Sequence, residues 1–196
     1  MAENLIPAFQ NFIDGLRAIW AHEAEDEKRM KKAQSLMEET LLQDQDFLQR
    51  SKDWPSTEGR KNLLFYTDPE YGFVINGVVR EPGRKGSVHD HADAWVLYGL
   101  LDGTETLERF DVVEDRRSDG YAKVVLTSAP LGRAGKADLV GPYEVHAEQG
   151  GNIRSVAVIL RSRELVGKIL QGRYNRETGE YFEGSGPEQI PYALNL

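Results

Sequence analysis

Apolar residues recur at steps of three and four along the first twenty positions of the chain, a pattern typical of a helix with one buried face. The residues of this apolar stripe are Leu5, Phe9, Phe12, Leu16, Ile19 and Trp20. We therefore predict an amphipathic helix here, with its apolar face against a core.

A second helical stretch is predicted roughly from Glu23 to Arg50, with charged residues around most of its surface. Its run EAEDEKRMKK is interpreted as a solvated face. The apolar positions that lie near one face are Met30, Ala33, Met37, Leu41 and Leu48.

The helical period stops at Trp54-Pro55, where short runs rich in β-formers begin, separated by Gly, Pro and Asp turns. Seven short strands in this part predict a sandwich or a barrel. The predicted strands are Leu63–Tyr66, Gly72–Arg80, Ala94–Leu101, Glu105–Val113, Ala122–Ser128, Leu139–Val145 and Ser155–Arg161.

The segment QGRYNRETGEYFEG near the end of the chain predicts one more hairpin, with its turn near Glu177-Thr178-Gly179. Tyr174 and Tyr181 flank this turn, and the hairpin is expected to cover a sheet edge or a barrel mouth. The expected organisation is one domain over residues 1–196. A helical layer, 1–53, packs on a β-barrel, 54–196, that includes the hairpin.

Composition narrows the possible functions. The chain has no cysteine, which excludes disulfides, cysteine-based zinc sites and thiol nucleophiles. Its net charge of −8 disfavours nucleic acid and anionic membranes as partners. The first residues lack the basic start and continuous apolar core of a signal peptide, and no stretch approaches a membrane-spanning length. We expect a soluble cytoplasmic protein.

Three of the four histidines fall in two short segments, Val88–His91 and Tyr143–His146. In a strand, residues two apart project from the same face, so His89 and His91 can present two imidazoles to one ion. His146 would complete a face of three nitrogens, leaving open positions for substrate and dioxygen. Neutral imidazole suits Fe, Ni, Cu and Zn, so these ligands alone do not choose the metal. The alternative is that His89 and His91 lie on a polar strand edge.

The spacing of Gly83, His89, His91 and Gly103 resembles the first motif of the cupin superfamily, G-x5-H-x-H-x(3,4)-E-x6-G. The second cupin motif, P-x-G-x-x-H-x3-N, is matched loosely around His146. There, Gly141-Pro142 is reversed and Gly150 replaces the asparagine. The resemblance implies a mainly β fold, the cupin double-stranded β-helix barrel, here with an N-terminal helical layer.

Val96 occupies the position of the motif's glutamate, and an apolar side chain cannot bind a metal. The loss of this carboxylate resembles the thiol dioxygenase branch of the cupins, typified by cysteine dioxygenase, which uses three histidines. The stretch HDHADAWVLYGLLDGTETLE is similar to that branch's HDHTDSH run followed by an LLxG turn. The resemblance implies an Fe(II) centre and a small thiol or acid as the substrate.

Two departures separate the chain from cysteine dioxygenase. That family's Ser-x-His-x-Tyr relay is missing, because the corresponding strand reads Ala157-Val158-Ile159-Leu160-Arg161. The arginine that binds the substrate carboxylate has only Arg60 or Lys61 as rough counterparts. Cysteine itself is therefore not the expected substrate.

Several other residues are candidates for the site. Tyr98 is a candidate phenol near the metal or a packing residue, and Arg80 and Arg161 are candidates for binding a carboxylate or are solvated edge arginines. Asp93 would be a metal ligand, a loop residue or a hydrogen-bond partner of a ligand imidazole. Glu148 is interpreted as a hydrogen-bond partner of a ligand imidazole or as an exposed residue.

Three functions are compatible with these features. The first is a mononuclear non-haem Fe(II) dioxygenase that binds a small-molecule substrate and dioxygen. The second is a small-molecule-binding cupin without turnover, and the third is a non-oxidative enzyme with Zn or Mn. Nickel is a further candidate metal. A homodimer formed through edge strands is also expected.

Overall fold

The computed structural model describes residues 5–165 and 167–195. Residues 1–4 of the predicted helical layer, and residues 166 and 196 of the predicted β section, lie outside the described residues. The helices are α1 (Pro7–His22), α2 (Asp26–Leu36) and α3 (Gln45–Ser51), with a π-helical turn at Met37–Leu41 between α2 and α3.

The amphipathic helix predicted first corresponds to α1, which buries Phe9, Phe12, Leu16 and Trp20. The second predicted helix is divided in two. After the π-helical turn the chain leaves the helix, and the Asp44 side chain accepts a hydrogen bond from the Phe47 amide at 2.7 Å. This cap starts α3 as a separate helix.

The described residues contain twelve strands, which form two six-stranded sheets. The strands are β1 (Lys61–Thr67), β2 (Val74–Arg80), β3 (Val88–His89), β4 (Val96–Asp102), β5 (Glu105–Arg116), β6 (Tyr121–Ser128), β7 (Lys136–Val140), β8 (Val145–Gly150), β9 (Ser155–Arg161), β10 (Gln171–Tyr174), β11 (Tyr181–Gly184) and β12 (Glu188–Pro191). The order in the first sheet is β12-β1-β2-β9-β4-β7, and in the second it is β11-β10-β3-β8-β5-β6. Within the two sheets the pairing of β1 with β12 is parallel and the other strand pairs are antiparallel.

The first sheet is buried on both faces, as β9 illustrates. Val156, Val158 and Leu160 belong to the large apolar core shared with the helices, whereas Ala157 and Ile159 belong to a smaller cluster on the opposite face. Alternate residues of a strand point to opposite faces, so a strand between two apolar layers is apolar at nearly every position. The helical layer therefore covers one face of the first sheet, and the second sheet lies toward the other.

One predicted strand, Leu139–Val145, is wrong. The structure ends β7 at Val140 and starts β8 at Val145. Gly141-Pro142 and Tyr143, whose φ is +57°, turn the chain between them. The Glu144 carboxylate accepts a hydrogen bond from the Gly141 amide at 3.0 Å and stabilises this turn. As a result His146 lies within β8.

The outer glycines of the first motif both lie in turns. Gly83, with φ +77°, follows β2, and Gly103, with φ +81°, joins β4 to β5. At Gly103 an added Cβ would lie 2.5 Å from the Arg154 carbonyl oxygen, so a side chain is excluded by contact as well as by conformation.

The C-terminal hairpin is confirmed as the antiparallel pair β10 and β11, in which Tyr174 lies opposite Tyr181. β10 also pairs with β3, so the hairpin extends the sheet that carries His89. Within the described part of the chain, the helices are too short or too polar to cross a membrane.

Candidate metal centre

Strands β3 and β8 bring two of the predicted ligands together. They are antiparallel, and His89 lies directly opposite His146 in their register. Side chains of directly opposite residues lie on the same face of the sheet. The two imidazole centroids are 4.5 Å apart, close enough for both rings to bind one ion.

His91 reaches the same point from a turn, so the prediction that both histidines project from one strand is wrong in its geometry. β3 ends at His89, and Ala92 has a φ of +50°. In this turn the Ala94 amide donates to the His91 carbonyl at 3.1 Å. The His91 ring centroid lies 4.8 Å from that of His89 and 4.9 Å from that of His146.

A fourth ligand atom comes from Glu148, which lies two residues after His146 on β8 and on the same face. One potential ligand atom from each of Glu148 and the three histidines lies within 4.8 Å of the others, and all four residues are buried. Glu148 Oε1 is 3.4 Å from His146 Nε2. Glu148 was expected to be a hydrogen-bond partner of a ligand imidazole or an exposed residue, and the structure makes it a candidate ligand instead. The i, i+2 spacing from His146 was the signal that could have identified it.

The ring nitrogens are oriented for metal binding. His89 Nδ1 lies 2.9 Å from the Ser87 carbonyl oxygen, and His146 Nδ1 lies 2.9 Å from the Glu144 carbonyl oxygen. A carbonyl oxygen only accepts, so each Nδ1 carries a proton, and in the neutral form of each ring the lone pair is on Nε2. Among the residues that the structure describes, His146 Nε2 and His91 Nδ1 have no hydrogen-bond partner although both are buried. Three imidazoles and one carboxylate fit a divalent transition metal.

Burial and mutual charge set the protonation of the four groups. Burial, together with the charge on His146, lowers the pKa of His89 to about 3, and burial also lowers the pKa of His91 well below its usual range. Burial alone would lower the pKa of His146, but the Glu148 carboxylate outweighs it and raises the pKa. Burial opposes the ionised form of Glu148, yet the positive charges of His146 and Arg80 hold its pKa well below its usual range. Before a metal binds, His146 and Glu148 therefore form an ion pair.

Zinc binding is expected to release the proton of His146, because a metal binds only the neutral imidazole. The pKa of His146 lies above its ordinary value of 6.5, so zinc affinity should fall as the pH drops through that raised pKa. Calorimetric titrations in two buffers of different ionisation enthalpy measure this proton release. Equal heats in the two buffers would contradict it.

A cavity of about 240 Å³ opens onto His89, His91 and Glu148. Val96 lines it and is buried, which agrees with the position that the first motif assigns to its glutamate. The expectation that the absence of this carboxylate leaves a site of histidines alone is corrected, because Glu148 supplies a carboxylate from β8 instead of β4.

Two predicted site residues, Tyr98 and Arg80, lie in a buried network at one side of the cavity. The Tyr98 hydroxyl donates to Glu105 at 2.7 Å, and Arg80 contacts Glu105 at 2.8 Å and Glu148 at 3.5 Å. The Ser155 hydroxyl donates to the second Glu105 oxygen at 2.6 Å. Burial raises the pKa of Tyr98 well above its usual range, so its phenol stays protonated. Arg80 links the network to the candidate ligand Glu148.

The remaining predicted residues are divided between the cavity and the surface. Arg161 lines the cavity, donates to Asn76 Oδ1, and has its pKa lowered to about 10 by burial. Asp93 lies outside the ligand cluster and pairs with Arg163 at 2.8 Å, so it is a loop residue. The fourth histidine, His22, is exposed at the end of α1.

A scan against protein-family models finds no match, and neither does a search of the curated proteins. Among solved structures, one similar chain is an uncharacterized conserved protein with a double-stranded β-helix domain from Klebsiella pneumoniae subsp. pneumoniae MGH 78578. It aligns with a TM-score of 0.43 and 10% identity over 69% of this chain and 93% of that chain.

Two further neighbours are the cupin domain of Schizosaccharomyces pombe Cnp3 and an oxalate oxidase in complex with the substrate analogue glycolate. The first aligns with a TM-score of 0.41 and 8% identity, over 53% of this chain and 60% of that chain. The second aligns with a TM-score of 0.43 and 16% identity, over 57% of this chain and 56% of that chain. The match therefore spans little more than half of the oxalate oxidase chain.

The strand order of the two six-stranded, largely antiparallel sheets decides the fold class. The chain has a double-stranded β-helix fold. Its helices form a layer outside the first sheet, as the sequence predicts.

Asp90 positions the turn of this double-stranded β-helix that carries His91. Its carboxylate is 2% exposed, and it accepts hydrogen bonds from the Ala92 amide at 2.8 Å and the Gly172 amide at 3.1 Å. The Tyr174 hydroxyl donates to its other oxygen at 2.8 Å. Asp90 therefore ties the turn to the C-terminal hairpin.

Replacing Asp90 with alanine is expected to destabilise the protein by about 3 kcal/mol, because buried donors lose a charged acceptor. Metal affinity should also fall, since the His91 turn is no longer held against β10. Denaturant unfolding and zinc titration measure the two effects. The control is Asp93→Ala, which removes a half-exposed ion pair worth less than about 1 kcal/mol. Equal losses in both variants would show that Asp90 has no special role.

Proposed function

We propose that this protein is a mononuclear non-haem Fe(II) dioxygenase that acts on a small acid. The observation that carries the proposal is the buried cluster of His89, His91, His146 and Glu148. His89, His91 and Glu148 line a cavity together with several cationic residues. Bound iron would activate dioxygen toward the substrate. His89, His91, His146 and Glu148 would hold the iron, and the substrate and dioxygen would bind beside these ligands.

The residues of the chain supply binding, orientation and exclusion of water. The apolar wall formed by Val78, Val96 and Ile159 keeps one side of the cavity dry. Arg161 presents a buried guanidinium that can hold an acid group of the substrate. Arg80 contacts Glu148 and Glu105, and so fixes the ligand carboxylate.

The site favours an acid that is different from cysteine. The positions of β9 that correspond to the cysteine dioxygenase relay are Ala157, Ile159 and Arg161. The first two belong to the apolar cluster between the sheets. No hydroxyl or imidazole therefore stands where that relay orients the thiol. The Glu148 carboxylate also reduces the positive charge that would attract a thiolate to a site of three neutral histidines.

Elemental analysis of protein purified without added metal tests which metal the protein holds, and iron is the expected metal. An oxygen electrode tests whether the Fe(II)-loaded protein consumes dioxygen with a panel of small carboxylic acids and thiol acids. We expect oxygen uptake with a member of this panel and weak uptake with cysteine. The His22→Ala variant should behave as the wild type, whereas His91→Ala should not consume oxygen. Stoichiometric zinc, or iron-loaded protein without uptake on any acid, would contradict the proposal and favour a non-oxidative enzyme or a binding protein.

A further inference from the structure

The charge of the cavity is opposite to that of the whole chain. The net charge is −8, yet Glu148 is the one acidic residue among the described residues that line the cavity. Seven cationic residues share this lining: Arg60, Lys61, Arg80, Arg84, Lys85, Arg161 and Arg173. Such a concentration of one sign in a cleft raises the local concentration of oppositely charged ligands. The cavity therefore attracts anions.

Buried N–H groups along the lining lack acceptors. Among the described residues, Arg161 Nε, Arg173 Nε, Gln171 Nε2 and Arg84 Nη1 are buried and have no hydrogen-bond partner. Arg161 and Gln171 are 3% and 1% exposed. Buried donors are almost always satisfied in folded proteins, so unpaired donors around one cavity indicate acceptors supplied by a ligand.

Arg161 and Arg173 stand on different sheets. Arg161 ends β9 of the first sheet and is held by Asn76. Arg173 lies on β10 of the second sheet, directly opposite His89, and donates to Gln171 Oε1 at 2.8 Å. The two guanidiniums therefore line the cavity from different sheets, and each is held by its own hydrogen bond.

Arg80 differs from these two arginines. Its guanidinium contacts Glu105 at 2.8 Å and Glu148 at 3.5 Å, so its charge is already balanced by protein carboxylates. Neither Arg161 nor Arg173 has a carboxylate partner within ion-pair distance among the described residues. Arg80 therefore positions the ligand carboxylate, and anion binding falls to Arg161 and Arg173.

We infer that the substrate is a small dianion, with one anionic group bound by Arg161 and the other by Arg173 together with Gln171 and Arg84. This inference rests on the proposed function, because it takes the cavity above the histidines as the substrate site. It adds that two acid groups are recognised. Carboxylate and phosphate both accept the paired N–H groups of a guanidinium, and either serves at each position.

The size of the cavity limits the substrate. The cavity volume of about 240 Å³ lies a little below the roughly 300–1,000 Å³ of ordinary ligand pockets. A short dicarboxylate or a small phosphorylated acid suits this space.

Calorimetry with zinc-loaded protein tests the inference without any oxygen chemistry. The probes are succinate, glutarate and adipate, with butyrate as the monoanion of similar size and 3-phosphonopropionate as the phosphate-like probe. We expect the best dicarboxylate to bind at least roughly tenfold more tightly than butyrate. Tighter binding of 3-phosphonopropionate than of glutarate would support the inference with a phosphate at one end, and the reverse would support it with two carboxylates.

The variants assign the two ends. Arg173→Gln and Arg161→Gln should each weaken dicarboxylate binding by roughly tenfold and change butyrate binding by less than about threefold. The matched control, Arg133→Gln, removes an exposed arginine outside the cavity lining and should change neither. If Arg161→Gln does not fold, the dicarboxylate and butyrate affinities of Arg173→Gln and Arg161→Lys decide whether the inference holds.

Equal affinity of the wild-type protein for butyrate and every dianion would overturn the inference. So would an unchanged dicarboxylate preference in Arg173→Gln. A preserved dianion preference with no oxygen uptake would contradict the dioxygenase and leave the dianion site standing.

Discussion

Replacing His89 or His91 with alanine is expected to reduce bound metal from stoichiometric to undetectable. Each substitution removes one of four ligand atoms that lie within 4.8 Å of one another, and alanine offers no replacement donor. His146→Ala should have the same effect, because His146 faces His89 across the β3–β8 pair. Elemental analysis after dialysis against iron or zinc measures the loss.

The fold should survive these substitutions. The three histidines lie outside the apolar clusters that hold the helices and the two sheets together. His89→Ala removes the contact with the Ser87 carbonyl, which costs about 1 kcal/mol. Denaturant unfolding of the metal-free variants should therefore give cooperative transitions close to that of the wild type.

The matched control for all three is His22→Ala, which removes the remaining histidine from the exposed end of α1. This variant should retain the metal content of the wild type. Stoichiometric metal in both His89→Ala and His91→Ala would disprove the site. Normal metal in His146→Ala alone would place the third nitrogen ligand elsewhere.

Local patterns predicted most of the elements but only part of their arrangement. The apolar period of α1 and the turn glycines Gly83 and Gly103 are features of short stretches of sequence. The sequence therefore predicted both of them. The β8 strand could not be placed correctly, because Gly141-Pro142 was interpreted as part of a strand. The position of His146 nevertheless followed from its resemblance to the second cupin motif.

The missed residues depend on long-range pairing. The spacing of Glu148 from His146 puts both residues on one face of β8, but the register of β8 with β3 and β5 decides whether that face points inward. Because β8 is buried on both faces, its pattern does not show a solvent side. The predicted hairpin did not indicate that β10 pairs with β3, which brings Arg173 and Gln171 to the cavity. Sequence separation of about 80 residues leaves such contacts without a local signal.

Glu148 supplies the carboxylate of the candidate metal centre. Glu148→Gln keeps the size of the side chain but removes its charge. Metal affinity should therefore fall by more than about 100-fold, because about 100-fold is the upper limit for losing a residue that only hydrogen-bonds to a metal ligand. Arg80 keeps its contact with Glu105, which preserves the buried network. The control is Glu70→Gln, which changes an exposed carboxylate that pairs with Arg17 outside the cluster.

Adding Val96→Glu to Glu148→Gln should restore much of the lost affinity, because Val96 lines the same cavity from the position of the family's glutamate. The new carboxylate, which stands on β4, would replace the ligand that Glu148→Gln removes from β8.

In the wild-type background Val96→Glu should strengthen binding of Mn(II) and reduce oxygen uptake, since a fifth protein ligand takes a substrate position. Without metal, the same variant should be less stable, because Val96 is 1% exposed and burying a carboxylate there costs more than its pairing with Arg161, which lies directly opposite in the β4–β9 register, repays. Metal should then stabilise Val96→Glu more than it stabilises the wild type, and unfolding with and without Mn(II) measures that difference. A folded double variant with the same weak affinity as Glu148→Gln would show that the Val96 side chain does not reach the ion, and that only β8 can supply the carboxylate in this protein.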